Sequence, residues 1–558
     1  MIKKLLSDAA MKIMVVKGNT SLRRLKDAQR SPFEKNKALL LKIVKDNRNT
    51  EFGKAHHFDE IRSLEDYRKF VPPSVYEDYA PMLERVKNGE KNVLTSANIL
   101  GFSRTSGSSG VPKYIPATDE SLKAYVRYTW TRALALSAKE LKRHGKSYKP
   151  GRGVFLSPAT NETLPNGMPC SNIAEIGARE YGRFYPYILT VPTKKLFDMH
   201  DGDYVYEIYR FALADEDVSF IFSVFLTINV SQLTYLRENW KTLVDDITNG
   251  TISDSVDLKP EVRAELLRHI KPMPERGEYL RKQFEQGFDE TILKRVWPNL
   301  TVICGIGNAS FKSAADYVRS FSKGVFFDFS IYGASEALVA AVTELETTDM
   351  QLLIDSCFYE FVNVDDESGE YLTLDQLKKG EKYEILITTS AGLYRYRLKD
   401  VIVVTGFNGE CPLISFVRRK GQLFNIAGEK FSGEDARCSV EMFEKAHGII
   451  LDNWLFYQDE SVIPNRYAFV TEEELPVDSD TFIDELEGYM GQCNKRYESQ
   501  RAKSFIGRLT VQKLQKGTHA AWAQRCVDLG ASAAQIKPVH SLDTPEKKDF
   551  YLSKIINL

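Results

Sequence analysis

Nine consecutive residues, Thr105-Ser-Gly-Ser-Ser-Gly-Val-Pro-Lys113, carry the densest set of groups able to hold an anion. Gly107 and Gly110 can adopt backbone angles closed to other residues and put no Cβ in the way. Successive N–H groups of such a loop turn inward as a nest for negative charge. Ser106, Ser108 and Ser109 add hydroxyl donors, and Lys113 brings a positive charge to the edge. A triphosphate suits that set. Composition alone also fits a flexible Ser/Gly linker, yet the run lies between regular elements and ends in Pro-Lys ahead of an apolar Tyr114-Ile-Pro. It is not the G-x-x-x-x-G-K-[ST] loop, because Lys113 follows Gly110 by three positions and Tyr114 holds the Ser/Thr place.

Two further clusters lie downstream. Phe329-Ser-Ile-Tyr-Gly-Ala-Ser-Glu336 reads as a strand running into a turn. Tyr332 can lay its ring against an adenine, Gly333 permits the tight turn, and Glu336 offers a hard oxygen to Mg2+, which prefers carboxylate and phosphate ligands. Tyr394-Arg-Tyr-Arg-Leu-Lys-Asp400 then precedes an apolar Val401-Ile-Val-Val. Asp400 is suited to accept hydrogen bonds from both hydroxyls of a ribose. A solvated turn carboxylate beside Arg397 is the other reading.

In this order the clusters resemble the motifs of the adenylate-forming superfamily, which includes acyl-CoA synthetases, luciferases and peptide-synthetase adenylation domains. Thr-Ser-Gly-Ser-Ser-Gly-x-Pro-Lys resembles its phosphate loop, and Tyr332 to Glu336, with Ser335, its adenine and metal motif. Asp400 falls at its ribose position. Arg419-Lys-Gly-Gln-Leu-Phe-Asn-Ile-Ala-Gly428 resembles the hinge after which a small C-terminal domain swings over the site, with Arg419 among the ATP-binding residues. Ser532-Ala-Ala-Gln-Ile-Lys-Pro538 resembles the place of a lysine that reaches the α-phosphate and the acyl carboxylate. The resemblance assigns that role to Lys537, with Lys430 as its rival, and makes Lys113 and Glu336 its partners in catalysis.

Outside the nucleotide motifs the chain resembles the Gretchen Hagen family of acyl acid amido synthetases over roughly residues 30 to 540. The matching stretches include Tyr76-Glu-Asp-Tyr-Ala-Pro-Met-Leu-Glu-Arg-Val-Lys-Asn-Gly, Ile247-Thr-Asn-Gly-Thr-Ile-Ser, Trp297-Pro-Asn-Leu and Gly392-Leu-Tyr-Arg-Tyr-Arg-Leu-Lys-Asp. Two departures mark a microbial or divergent member. The phosphate loop is one residue shorter than is usual in the family and contains Pro112, and Lys399 stands where the family carries Gly. The resemblance implies ATP and Mg2+, a carboxylic acid substrate and an amine or amino-acid acceptor. The acid is activated as acyl-AMP with release of pyrophosphate, and the acyl group then passes to the amine. A thioester ligase acting on coenzyme A or a carrier protein shares all these motifs, and a nucleotide-binding sensor keeps the fold without the chemistry.

The elements that must position these residues are legible as texture. The first hundred residues read mainly as helices, starting with an amphipathic one. A helix is expected from about Asp119 to Arg143. Apolar runs at Val154, Val218, Leu300 and Val325 then alternate with helical patterns, one marked by Leu233, Leu236, Trp240 and Leu243. Buried strands between helices predict an α/β sheet covered on both faces. After residue 338 the texture turns strand-rich, as in a barrel or curved antiparallel sheet. A last α+β segment follows, in which Ser432 and Asp435 fit a helix N-cap and its third residue. The expected fold is α/β: a large multi-layer N-terminal domain over 1–417 with a β-barrel-like part, a hinge at 418–421, and a small α+β lid over 422–558. The acid pocket is expected between about residues 118 and 240, where Tyr125, Tyr128, Trp130, Tyr185, Tyr187, Phe220 and Phe222 suit an aryl or cyclic acid or simple core packing.

At 558 residues the chain exceeds what one core holds. Its net charge of −1 gives no global pull toward nucleic acid or anionic membrane, and neither partner is expected. Seven scattered cysteines without a C-x-x-C pair argue against a disulfide framework and for a reducing compartment. The N-terminal apolar run is broken by Asp8, Lys12 and Lys17, unlike a signal peptide. A cytoplasmic location is the expectation. The histidines, His56-His57 included, are read as taking surface or capping roles and not as metal ligands, and the Glu472-Glu-Glu474 run as a solvated loop and not a cation site.

Overall fold

Four short strands, Gly153–Phe155, Phe220–Phe225, Val302–Ile306 and Phe326–Asp328, pair in that order and all in parallel. Each is mostly apolar, with Ser223 and Asp328 as the polar exceptions, as parallel strands buried on both faces require. The computed structural model describes residues 2–106, 112–156, 163–171, 173–193, 204–307, 312–329, 331–364, 369–419, 422–451, 453–528, 539–542 and 545–556. The helix Leu226–Asn249 crosses between the second and third strands and turns Leu233, Leu236 and Leu243 into the core. Trp240 joins that face against Phe284 of the helix Pro274–Glu285, ring centroids 5.4 Å apart. The long N-terminal helix, Ile2–Asp27, lies on Trp130–Arg143. Contact is so close that a Cβ on Gly18 would sit 1.8 Å from the Thr131 carbonyl oxygen, so only glycine fits.

The expected helix over 119–143 is two helices, Asp119–Tyr128 and Trp130–Arg143. The Thr129 hydroxyl bonds back to the Tyr125 carbonyl at 2.8 Å and the Thr131 hydroxyl to that of Arg127 at 2.8 Å. Such returns to the preceding turn compete with the helix ladder.

The second layer is a seven-stranded antiparallel sheet. From edge to edge it runs Phe358–Asn363, Lys382–Thr388, Tyr396–Asn408, Cys411–Arg419, Met350–Leu352, Leu338–Val342 and Ile331–Gly333. Its buried face meets the helices Pro32–Asn47 and Tyr76–Lys87 in a second core that includes Leu40, Tyr79, Tyr359 and Tyr394. The C-terminal part holds a mixed four-stranded sheet, Trp454–Asp459, Arg466–Thr471, Thr510–Leu514 and Ile555–Ile556, with the helices Gly433–His447 and Ser479–Cys493. Ser432 caps the first of these helices, reciprocated by Asp435, as the sequence predicts. Phe431, Phe443 and Phe469 belong to the same apolar core as Val154 and Phe222, so the C-terminal part packs continuously against the parallel-sheet body.

Candidate active site at the junction of two sheets

The run Val325–Tyr332 does not form one strand. It ends the parallel sheet at Asp328 and enters the antiparallel sheet at Ile331. Sites in α/β sheets form outside the carboxyl ends of strands where topology changes. This junction is pinned by Arg132, whose guanidinium grips both Asp328 oxygens at 3.0 and 2.9 Å and the Val342 carbonyl at 2.8 Å. Both charges are fully buried, so each depends on the other for its solvation.

Immediately after Ile331, Tyr332 donates its hydroxyl to Asp400 Oδ2 at 2.6 Å. Asp400 is 2% exposed and lies inside the strand Tyr396–Asn408, not in a solvated turn before it. Arg397, the alternative partner, instead grips Glu384 through two bonds of 2.9 and 2.7 Å. Across the ladder Asp400 registers with Arg419, and the Tyr332 ring meets Phe416 edge-on at 5.8 Å. Lys399 holds φ at +61° and is exposed, a conformation natural to glycine and strained for lysine.

Glu336 sits half-buried in the following turn, next to the exposed Gly333 and Ser335. Its Oε1 accepts from the Tyr396 hydroxyl at 3.2 Å. Tyr396 packs 6.4 Å from Tyr79 on the helix Tyr76–Lys87. Burial pushes the Tyr79 hydroxyl up to about 12, so it stays protonated and donates to the Tyr394 carbonyl at 2.8 Å. At its N-terminal end this same helix receives the hairpin Ile99–Ser106/Pro112–Thr118. The Tyr76 hydroxyl accepts from the Tyr114 N–H at 3.0 Å, and Lys113 Nζ lies over the Tyr76 ring at 4.9 Å and 3.7 Å from Glu77. One helix therefore ties this Ser/Gly-containing hairpin to the strand bearing Asp400.

Thr105 and Ser106 end the first hairpin strand, opposite Lys113 and Pro112. Gly107, Ser108, Ser109 and Gly110 lie outside the described residues. So do Lys537 and part of the 418–421 segment. Lys430 is half-buried with φ at +55°. It follows Glu429, which is fully buried and accepts from the N–H groups of Ile426 and Ala427 at 2.6 Å and from the Tyr467 hydroxyl. Gly428, at φ +88°, brings this loop against Phe225 at the carboxyl end of a parallel strand.

Among the aromatic residues expected to line an acid pocket, Trp130 touches Phe155, Tyr185, Phe220 and Phe222 at centroid distances of 5.3 to 6.3 Å. All five belong to the main core or pack on it. Tyr76, Tyr79 and Tyr396 were not singled out from sequence. Their only signal was position, since two sit in the Tyr76-to-Gly89 match and one inside the Tyr394-to-Asp400 motif.

Two expectations are revised: the acidic run is not merely solvated, and two cysteines are paired. Glu472 accepts from the N–H groups of Gly517 and His519 at 2.6 Å, Glu473 from Asn453, and Glu474 pairs with Lys513, so the acidic run is structural. His56 bonds the Phe70 carbonyl and His57 bonds Glu60. Cys438 and Cys493 are joined as a disulfide between the two C-terminal helices, against the expectation of reduced, unpaired cysteines.

Family models match three consecutive segments: the GH3 family N-terminal domain at residues 21–326, its central domain at 350–419 and its C-terminal domain at 434–546. The chain belongs to the GH3 family, the Gretchen Hagen family that the motifs resemble. It is 25% identical to the indole-3-acetic acid-amido synthetase GH3.3 of Arabidopsis thaliana, covering 93% of this chain and 90% of the relative. Identity is 26% to the 4-substituted benzoates-glutamate ligase GH3.12 of Arabidopsis thaliana, over 89% and 91% of the two chains. Among solved structures it shares the fold of the AtGH3.15 acyl acid amido synthetase in complex with 2,4-DB. The TM-score there is 0.65 at 21% identity, over 97% of this chain and 96% of that one.

Proposed function

We propose that this chain is an ATP-dependent acyl acid amido synthetase. The observation that carries the proposal is the convergence of separate motifs on one junction: Tyr332 on Asp400, with Arg419 across the ladder, and Glu336 on Tyr396 beside them. In the first half-reaction a carboxylate oxygen attacks the α-phosphorus of ATP, the bond to the bridging oxygen breaks, and pyrophosphate leaves. In the second, an amine nitrogen attacks the acyl carbon, AMP departs with the bonding pair, and the amine proton passes to solvent. The indole-3-acetic acid-amido synthetase and benzoates-glutamate ligase activities of the Arabidopsis relatives support an aryl acid and an amino-acid acceptor.

Within this reading Asp400 receives the ribose hydroxyls and the Tyr332 ring flanks the adenine. Thr105 to Gly110 and Lys113 hold the phosphates, contributing positioning and charge neutralisation. Glu336 fits Mg2+: it is a half-buried hard-oxygen donor with one oxygen already oriented by Tyr396. Mg2+ ordinarily binds through one or two carboxylates plus phosphates, and the ion would supply charge neutralisation at the phosphates. The segment 418–421 acts as the hinge between a body over 1–417 and a lid over 422–558. The lid delivers Lys537, or alternatively Lys430, to the α-phosphate.

Acid-dependent exchange of labelled pyrophosphate into ATP, screened over aryl, indole and aliphatic acids, tests the first half-reaction. Glu336→Gln is expected to lower that exchange about 100-fold at saturating ATP. Exchange at background with every acid would refute adenylation.

A further inference from the structure

The N-terminal helix Ile2–Asp27 presents two apolar faces. Ser7, Met11, Gly18, Ser21 and Leu25 recur at helical spacing on the buried side; the helix lies on Trp130–Arg143, and Leu25 packs with Tyr128, Leu338 and Leu353. On the opposite side Leu5, Leu6, Ile13 and Val16 are 63%, 48%, 56% and 64% exposed. With Ala9 among them they form one ridge, running about 17 Å at 1.5 Å per residue. Scattered exposed apolar residues need no explanation, but a contiguous ridge marks a contact surface.

Charge frames the ridge. Lys12 and Arg23 flank one side and Lys17 the other; all three are exposed, with no ion-pair partner among the described residues. Lys4, nearer the protein body, pairs with Asp217 at 2.6 Å. The first 27 residues hold seven Lys or Arg and two Asp, a local excess hidden by the whole-chain charge of −1. The whole ridge precedes residue 21, where the family-model match begins.

A convex ridge offers no groove for a partner helix. Laying it on the ridge of a second copy would set rows of lysine against lysine. A flat, negatively charged surface satisfies both features at once: the apolar side chains enter the acyl boundary while the cations stay at the headgroups. The geometry points to this helix as an in-plane anchor that docks the protein on an anionic lipid bilayer. This goes beyond the proposed reaction and does not rest on it. It also reverses the expectation, drawn from net charge, that no membrane is engaged. No helix among the described residues is long and apolar enough to cross a membrane, and an in-plane contact needs none.

The test is co-sedimentation of the full chain with vesicles of phosphatidylcholine alone, or with phosphatidylglycerol as a quarter of the lipid. Partitioning onto the anionic vesicles is expected to be at least about tenfold stronger and to fall as salt rises from about 50 mM to about 0.5 M. The triple variant Leu5→Ser/Ile13→Ser/Val16→Ser and the double variant Lys12→Glu/Lys17→Glu should each lose about tenfold or more in partitioning. Unchanged thermal unfolding would show that both variants fold. Equal or absent pelleting on the two vesicle types overturns the inference, as does wild-type binding by folded variants. So does light scattering that finds a dimer in the parent and a monomer in the triple variant, which would assign the ridge to a second copy.

Discussion

The residues at the junction differ in how far their types alone disclosed their work. Asp400, Glu336 and Tyr332 stand inside contiguous motifs, and their chemistry is legible from type and order. Their partners are not, because the Tyr332–Asp400 bond joins positions 68 residues apart through a sheet order that no local pattern encodes. Tyr396 escaped notice for the same reason: its hydroxyl acquires a role only once Glu336 is folded beside it. Lys399 was legible as a departure, and its +61° φ explains why glycine belongs there. Replacing an exposed left-handed lysine by glycine removes backbone strain at some cost in chain entropy. Lys399→Gly is expected to raise unfolding free energy by about 0.5–1 kcal/mol, measured by urea denaturation. A loss of stability would contradict the strained assignment.

At the scale of elements, apolar runs located every strand of the parallel sheet, because doubly buried strands leave a mostly apolar signature. The run at Val325 misled by continuity: Asp328 and Ser330 are its only polar residues, yet the chain changes sheets between Asp328 and Ile331. The break depends on the Arg132–Asp328 pair, whose charges are wholly buried. Removing one partner leaves the other charge buried and unpaired. Arg132→Met is therefore expected to cost about 3–5 kcal/mol in thermal or denaturant unfolding. A cost under about 1 kcal/mol would mean that the pair does not hold the junction. The helix break at Thr129 is likewise local chemistry, two threonine hydroxyls returning to the preceding turn. Periodicity alone reads through it, since the apolar face continues.

The whole molecule joins a parallel sheet, an antiparallel sheet and a C-terminal α+β part. That division followed from texture and resemblance together, whereas the disulfide between Cys438 and Cys493, 55 residues apart, could not be paired from spacing. The C-terminal part brings Gly428 against Phe225 and sets Lys430 next to the buried Glu429. If Lys537 is the lid lysine, Lys537→Ala should reduce pyrophosphate exchange about 100-fold while Lys430→Ala keeps most of it. The reverse ranking would hand the role to Lys430.

The central claim is that one junction activates an acid and hands it to an amine. Its most direct test is AMP formation with purified protein, ATP, Mg2+ and a free carboxylic acid that supports pyrophosphate exchange, with mass detection of the acyl product in three parallel reactions: mixed amino acids, coenzyme A, and neither. The account predicts that amino acids accelerate AMP release and yield an amide, while coenzyme A changes nothing. Acceleration by coenzyme A with a thioester product, or ATP binding with no AMP under any condition, would contradict it.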